Sequence, residues 1–387
     1  MNFWIFIFWA SVFALIYPYA VYPLLLACLV AVRGQREPDY PRRQPKVSLL
    51  IPAHNEEAVI GEKVATTLAL DYPPEKLEVV VISDGSTDQT DRILSGFADP
   101  RLIIIRQEKN RGKNQALNRA LGLASGELIV FTDANAIFAP DALEELVRPF
   151  ADPRIGCAVG RLRYGNPKHS PIGRLEIAYW TLENLLKSGE GRLGALIGAN
   201  GSIFAIRRRL WEPLDDSVHE DFIIPMKILL QGHRVVYRPS AVAREETATA
   251  AEQEFKRRAR IVWKGWTAIG MVWPRLFRPF RPLLIFELFS RKICKRLLWL
   301  FMFLLLLAPL FLLDRPFYRV VFILQAVFAA AAGIGRAGRG ARKKNPLFYY
   351  PYAIWGLSLA NLAGFLDFIR GRKPAGAWEV QRPLDEA

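Results

Sequence analysis

The 387-residue chain is 51% hydrophobic, carries 52 Lys and Arg against 37 Asp and Glu for a net charge of +15, and has three cysteines. The apolar content excludes disorder, and three cysteines exclude both a disulfide scaffold and a zinc site built on cysteine pairs. A basic chain this apolar reads as an integral membrane protein with one soluble domain, meeting nucleic acid, an anionic membrane surface or phosphorylated substrates.

Residues 1–32 carry no charged side chain, more than the ~20 apolar residues a membrane span needs. Pro18 and Pro23 predict a kink or a second interfacial segment there. A cleaved leader does not fit, since the start is not basic and the run exceeds the usual ~7–15 apolar residues. Arg33, Arg36, Arg42, Arg43 and Lys46 follow directly, which places the next segment in the cytoplasm. From 46 to about 245 short β-branched runs alternate with helical stretches. Strands are predicted at 47–51, 79–82, 102–105 and 128–131, and helices at 56–70, from about 88, at 113–124 and at 141–150. That alternation predicts an α/β domain with a mostly parallel sheet, and such sheets bind ligands outside the carboxyl ends of their strands.

Polar clusters stand at those ends. The first strand runs into Pro52-Ala-His-Asn-Glu56. The second ends in Ser83-Asp-Gly-Ser-Thr-Asp88, where turn and cap chemistry alone would also use Asp84 and Asp88. The fourth ends in Phe131-Thr-Asp-Ala-Asn135, whose Asp133 and Asn135 offer two oxygen ligands suited to Mg²⁺ or Mn²⁺. His219-Glu-Asp221 opens a predicted helix, where acidic residues also favour the helix dipole.

The stretch 255–296 holds twelve Lys and Arg against Glu287 alone, interleaved with Trp263, Trp266, Trp273, Phe277, Phe280, Phe286 and Phe289. Because it leads into apolar runs, it reads as an amphipathic interfacial collar rather than a nucleic-acid patch. Spans are predicted at 297–313, 320–335 and 346–366, the first two as a hairpin above a cytoplasmic loop with Arg336, Arg339, Arg342, Lys343 and Lys344. A full third crossing would put Arg370, Arg372 and Lys373 outside, against the positive-inside rule. Either that run is re-entrant or one span is miscounted.

Taken in order, these motifs, with Arg111-Gly-Lys113, Ala116-Leu-Asn118, Gly198-Ala-Asn-Gly201 and Arg257-Arg-Ala-Arg260, resemble the family-2 glycosyltransferases of GT-A fold, in their membrane-embedded bacterial form. The likeness covers roughly 220 residues. It implies a cytoplasmic GT-A domain over 46–254, flanked by a transmembrane segment (1–33), the collar (255–296), transmembrane helices (297–369) and a tail (370–387). It further implies a nucleotide-sugar pocket lined by Pro52, His54, Asn55, Glu56, Asp84, Gly112, Lys113 and Asp133. Asp84 would read uracil, which favours a UDP-sugar. Asp133 and Asn135 would hold Mg²⁺ or Mn²⁺, and Asn135 departs from the family's second aspartate, so affinity should fall. Asp221 would be the general base with Glu220 beside it. Arg260 would meet the diphosphate, and Gly198, Asn200 and Gly201 would meet the acceptor. Arg257 and Ile261 replace the Gln and Trp of the family's Gln-x-x-Arg-Trp element, a departure that weakens the case for processive synthesis.

Two patterns are decoys. Gly189-Glu-Gly-Arg-Leu-Gly194 fits G-x-G-x-x-G but follows a predicted helix, and reads as a flexible loop near the acceptor. Asn200-Gly-Ser202 is a glycosylation sequon that would be silent in the cytoplasm. The expected protein is an inverting enzyme of the inner membrane that moves sugar from a nucleotide donor to a lipid-linked or polysaccharide acceptor. Two alternatives remain: a processive synthase that extrudes its product, and a non-catalytic, nucleotide-binding assembly subunit.

Overall fold

The computed structural model describes residues 2–33, 38–165, 171–246, 251–338 and 345–373. They form two compact units. One holds the described residues from 26 to 246 with 267–281; the other holds those up to 25, 251–266 and from 282 on. Arg36, Arg339, Arg342, Lys343, Lys344 and the tail beyond 373 lie outside the described residues.

The chain begins with helices α1 (Asn2–Ile16) and α2 (Tyr22–Arg33), joined by a π-helical turn at Tyr17–Val21. Pro18 cannot donate to the regular helical ladder, so the predicted kink takes the form of this local widening.

The first unit to follow is built on one eight-stranded sheet. Its strands are β1 (Val47–Ala53), β2 (Leu77–Asp84), β3 (Leu102–Gln107), β4 (Leu128–Phe131), β5 (Ile137–Phe138), β6 (Ile155–Gly165), β7 (Phe204–Arg207) and β8 (Arg234–Glu246), in the order β3-β2-β1-β4-β7-β6-β8-β5. The first four are parallel, with Val47 opposite both Leu77 and Leu128. β7 enters antiparallel between β4 and β6, while β6 and β8 are parallel. Val79, Val80, Val81 and Ile82 are all buried, the pattern of a strand covered on both faces.

Helices α3 (Ile60–Leu68), α4 (Thr90–Ser95), α5 (Lys113–Leu123), α6 (Ala142–Val147), α7 (Pro171–Leu193) and α8 (Glu220–Leu230) complete the unit. The predicted helix from 56 starts four residues later, because Glu56 to Val59 form a turn in which Val59 and Ile60 both donate to the Glu56 carbonyl. α5 buries Ala116, Leu117, Ala120 and Leu121, an apolar stripe of helical spacing that seats it on the sheet.

The glycine pattern at 189–194 is not a loop, contrary to the sequence expectation. α7 runs through it to Leu193, and Gly194 ends the helix at φ +74°. A β-carbon on Gly191 would lie 2.6 Å from the Tyr237 backbone nitrogen, so that glycine permits close helix–sheet packing.

α9 (Ala251–Val272), whose residues to 266 belong to the other unit, is followed there by α10 (Pro282–Glu287), a π-helical turn, α11 (Cys294–Arg296), α12 (Leu298–Leu307), α13 (Pro316–Ala337) and α14 (Pro346–Ile369). Among the described residues three helices are long and apolar enough to cross a membrane: Asn2–Arg33, Pro316–Ala337 and Pro346–Ile369. The run at 297–313, predicted as a span, is not one continuous helix. α12 stops at Leu307, where Pro309 tightens the chain into a 3₁₀ turn, and reaches spanning length only when joined to 282–296 across a 55° bend. Part of the predicted collar therefore belongs to a broken apolar pair. The last run is an unbroken 24-residue helix. Trp4 stacks on Phe311 at 4.1 Å and Phe8 meets Tyr318 edge-on at 5.1 Å. Phe6, Leu324 and Leu347 stay more than 60% exposed, an apolar surface that water does not favour.

Candidate functional site

At the carboxyl ends of β1 and β2, side chains are consumed by backbone. His54 donates from Nδ1 to the Asp84 carbonyl (2.8 Å). Asn55 adopts a left-handed conformation at φ +55°, which asparagine tolerates better than most residues, and its Oδ1 accepts from the Thr87 amide (2.8 Å). The Glu56 amide donates to Thr90 Oγ1 (2.8 Å) and the Glu57 amide to Asp88 Oδ2 (3.1 Å). Partial burial works against the Asp88 charge, but hydrogen bonds from Thr90 and Glu57 outweigh it and hold the carboxyl below its usual range.

Asp84 is fully buried. Its Oδ1 accepts from the Arg111 amide (2.9 Å) and its Oδ2 from the Gly112 amide (2.7 Å). This charge-assisted pair fastens the loop that enters α5. The loop passes so close that a β-carbon on Gly85 (φ +66°) would lie 2.4 Å from the Asn110 nitrogen.

The Asp84 clamp delivers Lys113, the first residue of α5, to a second kind of site. Lys113 Nζ pairs with Asp133 Oδ1 at 2.5 Å and with Glu220 Oε1, the first residue of α8. Burial works against both charges. The ammonium nevertheless pulls the Glu220 carboxyl down to about 2, and Asp133 and Glu220 together push the lysine above its usual range. Ser202 Oγ stands 3.0 Å from Glu245 Oε2 and 3.3 Å from Asp133 Oδ2, so one hydroxyl serves two carboxylates. Asn135 Nδ2 donates to Glu245 Oε1 (3.0 Å). Burial and the neighbouring Asp133 raise the Glu245 carboxyl above its ordinary value. Gly201 lies over the cluster: a β-carbon there would come within 3.2 Å of Asp133 Oδ2 and 3.5 Å of Glu220 Oε1.

Asp133, Asn135, Lys113, Glu220 and Gly201 thus come together, and Asp84 and Gly112 are tied to them through α5. Asp221 is the next residue of α8, half-buried, with its carbonyl accepting from the Ala199 amide (2.6 Å). Pro52, His54, Asn55 and Glu56 border the β1–β2 side. Gly198 is buried, and Asn200 is used within the fold: Lys187 Nζ donates to its Oδ1, and its Nδ2 donates to the Gly160 carbonyl (3.3 Å). Arg260 lies on α9, in the other compact unit.

The sequence reading missed Glu245, Ser202 and Lys63. Lys63 is 1% exposed on α3. Its Nζ donates to Thr132 Oγ1 (2.8 Å) and to the Ala136 carbonyl, and lies 4.6 Å from the centre of the Phe138 ring. Burial lowers its pKa to about 7, with the Asp133 charge opposing the shift. The signal was present: Lys63 falls within the buried stripe Ile60, Lys63, Val64, Thr67.

α5 also organises the approach to α8. Asn114 Nδ2 donates to the carbonyls of Asp215 (2.7 Å) and Val218 (2.9 Å), while Asn118 exchanges two hydrogen bonds with the Leu214 backbone (2.8 and 2.9 Å). A helix that fixes its own lysine and the neighbouring acidic helix suits a site where charge must be balanced.

Comparison with known proteins agrees with this geometry. Residues 48–212 match the profile described as Glycosyl transferase family 2. A probable glycosyltransferase of Bacillus subtilis, YdaM, is 28% identical over 256 residues, covering 63% of this chain and 61% of its own. The poly-beta-1,6-N-acetyl-D-glucosamine synthase of Staphylococcus aureus is 30% identical over 206 residues, covering 51% and 48%. The chain therefore spans between about half and three-fifths of the length of these relatives. Among solved structures, a mannosyltransferase from Pyrobaculum calidifontis, in complex with GDP-Man and Mn²⁺, shares the fold with a TM-score of 0.65 at 24% identity, over 94% of this chain and 98% of that one. Residues 48–212 therefore carry a family-2 glycosyltransferase domain, on the fold shared with that mannosyltransferase.

Proposed function

We propose that the protein is a membrane-bound inverting glycosyltransferase that takes a sugar from a nucleotide donor and passes it to a lipid-linked or polysaccharide acceptor; Asp84, sealed and bound to backbone, gives no preference for uracil. The observation that carries this reading is the meeting of Asp133, Lys113 and Glu220 beyond the strand ends, with Asp221 adjacent. The three long apolar helices support anchorage in the inner membrane, with the GT-A domain over 46–254 on the cytoplasmic side.

Cleaving a sugar–phosphate bond leaves growing negative charge on the diphosphate, and the attacking hydroxyl must lose a proton. Lys113 and the Gly112 turn supply positive charge and amides for the first task. For the second, Glu220 is a poor proton acceptor, because its charge is already neutralised by Lys113. Asp221 is the base.

The donor set fits a hard divalent cation, Mg²⁺ or Mn²⁺. Asp133, Asn135 and Glu245 offer oxygens, and an ammonium already rests between Asp133 and Glu220. Among the described residues no three His, Cys, Asp or Glu side chains form a ready metal-ligating group, so diphosphate oxygens would complete the shell. When bound, the cation supplies charge stabilisation to the departing diphosphate. Glu245 makes up for the carboxylate missing at Asn135, which weighs against the non-catalytic reading. A processive synthase is the second reading, favoured by the 30% identity to the staphylococcal synthase and opposed by Arg257 and Ile261.

Membranes containing the chain, incubated with Mn²⁺ and a panel of labelled UDP- and GDP-sugars, should label lipid or polymer with one donor, and Asp221→Asn should abolish this. Labelling that survives Asp221→Asn removes the assigned base, and no donor turnover by any panel member favours the assembly-subunit reading. Product length on a gel separates single transfer from polymerisation.

A further inference from the structure

The Thr132–Ala136 turn carries Asp133 and Asn135, and the proposed cation site depends on where this turn holds them. Its backbone has little internal support: the Ala136 amide reaches the Asp133 carbonyl (3.2 Å), and the Thr132 amide reaches the Leu50 carbonyl (3.3 Å). Lys63 adds two bonds from a side of the turn that Lys113, Ser202 and Glu245 do not reach. One ammonium, approaching from α3, binds Thr132 Oγ1 at one end of the turn and the Ala136 carbonyl at the other, closing the turn from beneath. Thr132 Oγ1 in turn stands 3.3 Å from the Asp133 carbonyl.

The placement is costly. A lysine with 1% exposure lies in a stripe of apolar positions, and a nearly buried ammonium is disfavoured unless its donors are matched. A plain core would place a methionine or leucine there. The two lysines near Asp133 divide the work: Lys113 meets the carboxylate itself, whereas Lys63, over the Phe138 ring, binds the hydroxyl and backbone carbonyl on either side.

We infer that Lys63 is a positioning residue for the cation site, setting its affinity by fixing the Thr132–Ala136 turn from below while touching neither cation nor substrate. The inference rests on the cation reading given above. Outer-shell partners of metal ligands commonly change affinity by about 10- to 100-fold when removed.

The test uses the full chain in detergent and Mn²⁺ alone, titrated by the electron paramagnetic resonance signal of the free ion. Wild type should bind, and Asp133→Asn should not. Lys63→Met, which keeps the length and loses the donors, should bind about 10- to 100-fold more weakly. Lys63→Ala should recover affinity with added propylammonium but not with propanol, a response that mere packing would not give. Lys63→Met binding Mn²⁺ within twofold of wild type, at an unchanged melting temperature, overturns the inference and leaves the cation reading intact. A wild type that ignores Mn²⁺, or an Asp133→Asn that binds equally well, overturns the cation reading and this inference with it. If both Lys63 variants fail to fold, Thr132→Val decides: it keeps the lysine and removes one bond, so several-fold weaker binding supports the inference and unchanged binding overturns it.

Discussion

The two halves of the sheet's carboxyl edge use the same residue type in opposite ways. On the β1–β2 side Asp84 is sealed from solvent, and each of its oxygens accepts from a backbone amide. On the β4–β8 side Asp133 remains partly open and is balanced by one movable side chain, Lys113. A carboxylate tied to backbone can only hold a shape. One balanced by an ammonium on a four-carbon stem can exchange that partner for another cation, because the lysine can turn away while the fold stays closed.

Substitutions sharpen this contrast, beginning with the largest effect. Asp221→Asn should lower transfer by about 10²- to 10⁴-fold with donor affinity little changed, measured as kcat against KM. Asp133→Asn should cost about 10²- to 10³-fold in kcat and lose the response to added Mn²⁺. Asp84→Ala should act on the fold. It removes two charge-assisted hydrogen bonds worth about 1.5–3 kcal/mol each, so the melting temperature should drop and kcat should recover once the protein is assayed well below it. If Asp84→Ala instead leaves stability untouched and abolishes turnover, the two halves are not different in kind.

Smaller effects separate the acids around Asp133 by the sign of their titration. The Glu220 carboxyl lies at about 2 in the fold, below its usual value of 4.5. The stability it brings is therefore complete above pH ~4.5 and is lost as pH falls toward 2. Glu220→Gln should flatten that acid limb in a melting-temperature profile. Glu245 is shifted the other way, so the fold favours its protonated form, and that preference is lost as pH rises through its folded value. Glu245→Gln should leave the melting temperature at pH 7 unchanged or higher while weakening Mn²⁺ binding. Asn118→Ala, which breaks two neutral bonds to Leu214, should cost about 1–3 kcal/mol and leave the pH profile unchanged.

Most of the parallel half was legible beforehand because each strand is a short β-branched run whose end carries its own polar motif. Asp133 and Asn135 could be named because they stand at a strand end that local sequence reveals, and Lys113 and Glu220 through the family resemblance. Glu245 could not: it lies near the end of a strand more than 100 residues after Asp133, inside an ordinary Arg-Glu-Glu, and the β5–β8 pairing of Ile137 with Arg244 brings it in. Lys63 sits beside Glu62 and looks like a surface charge until its helical phase is counted. The bend at Leu297 escaped for a related reason, since apolar content measures length but says nothing of where a helix breaks.

The α5 strap has one more consequence. Its ends grip separate segments: the Arg111 and Gly112 amides through Asp84, and the Leu214 amide through Asn118. Segments coupled this way open together rather than one by one. Deuterium uptake at Arg111, Gly112 and Leu214 should therefore follow a common time course, more than 100 residues apart in sequence, and should speed up in concert when either clasp is undone.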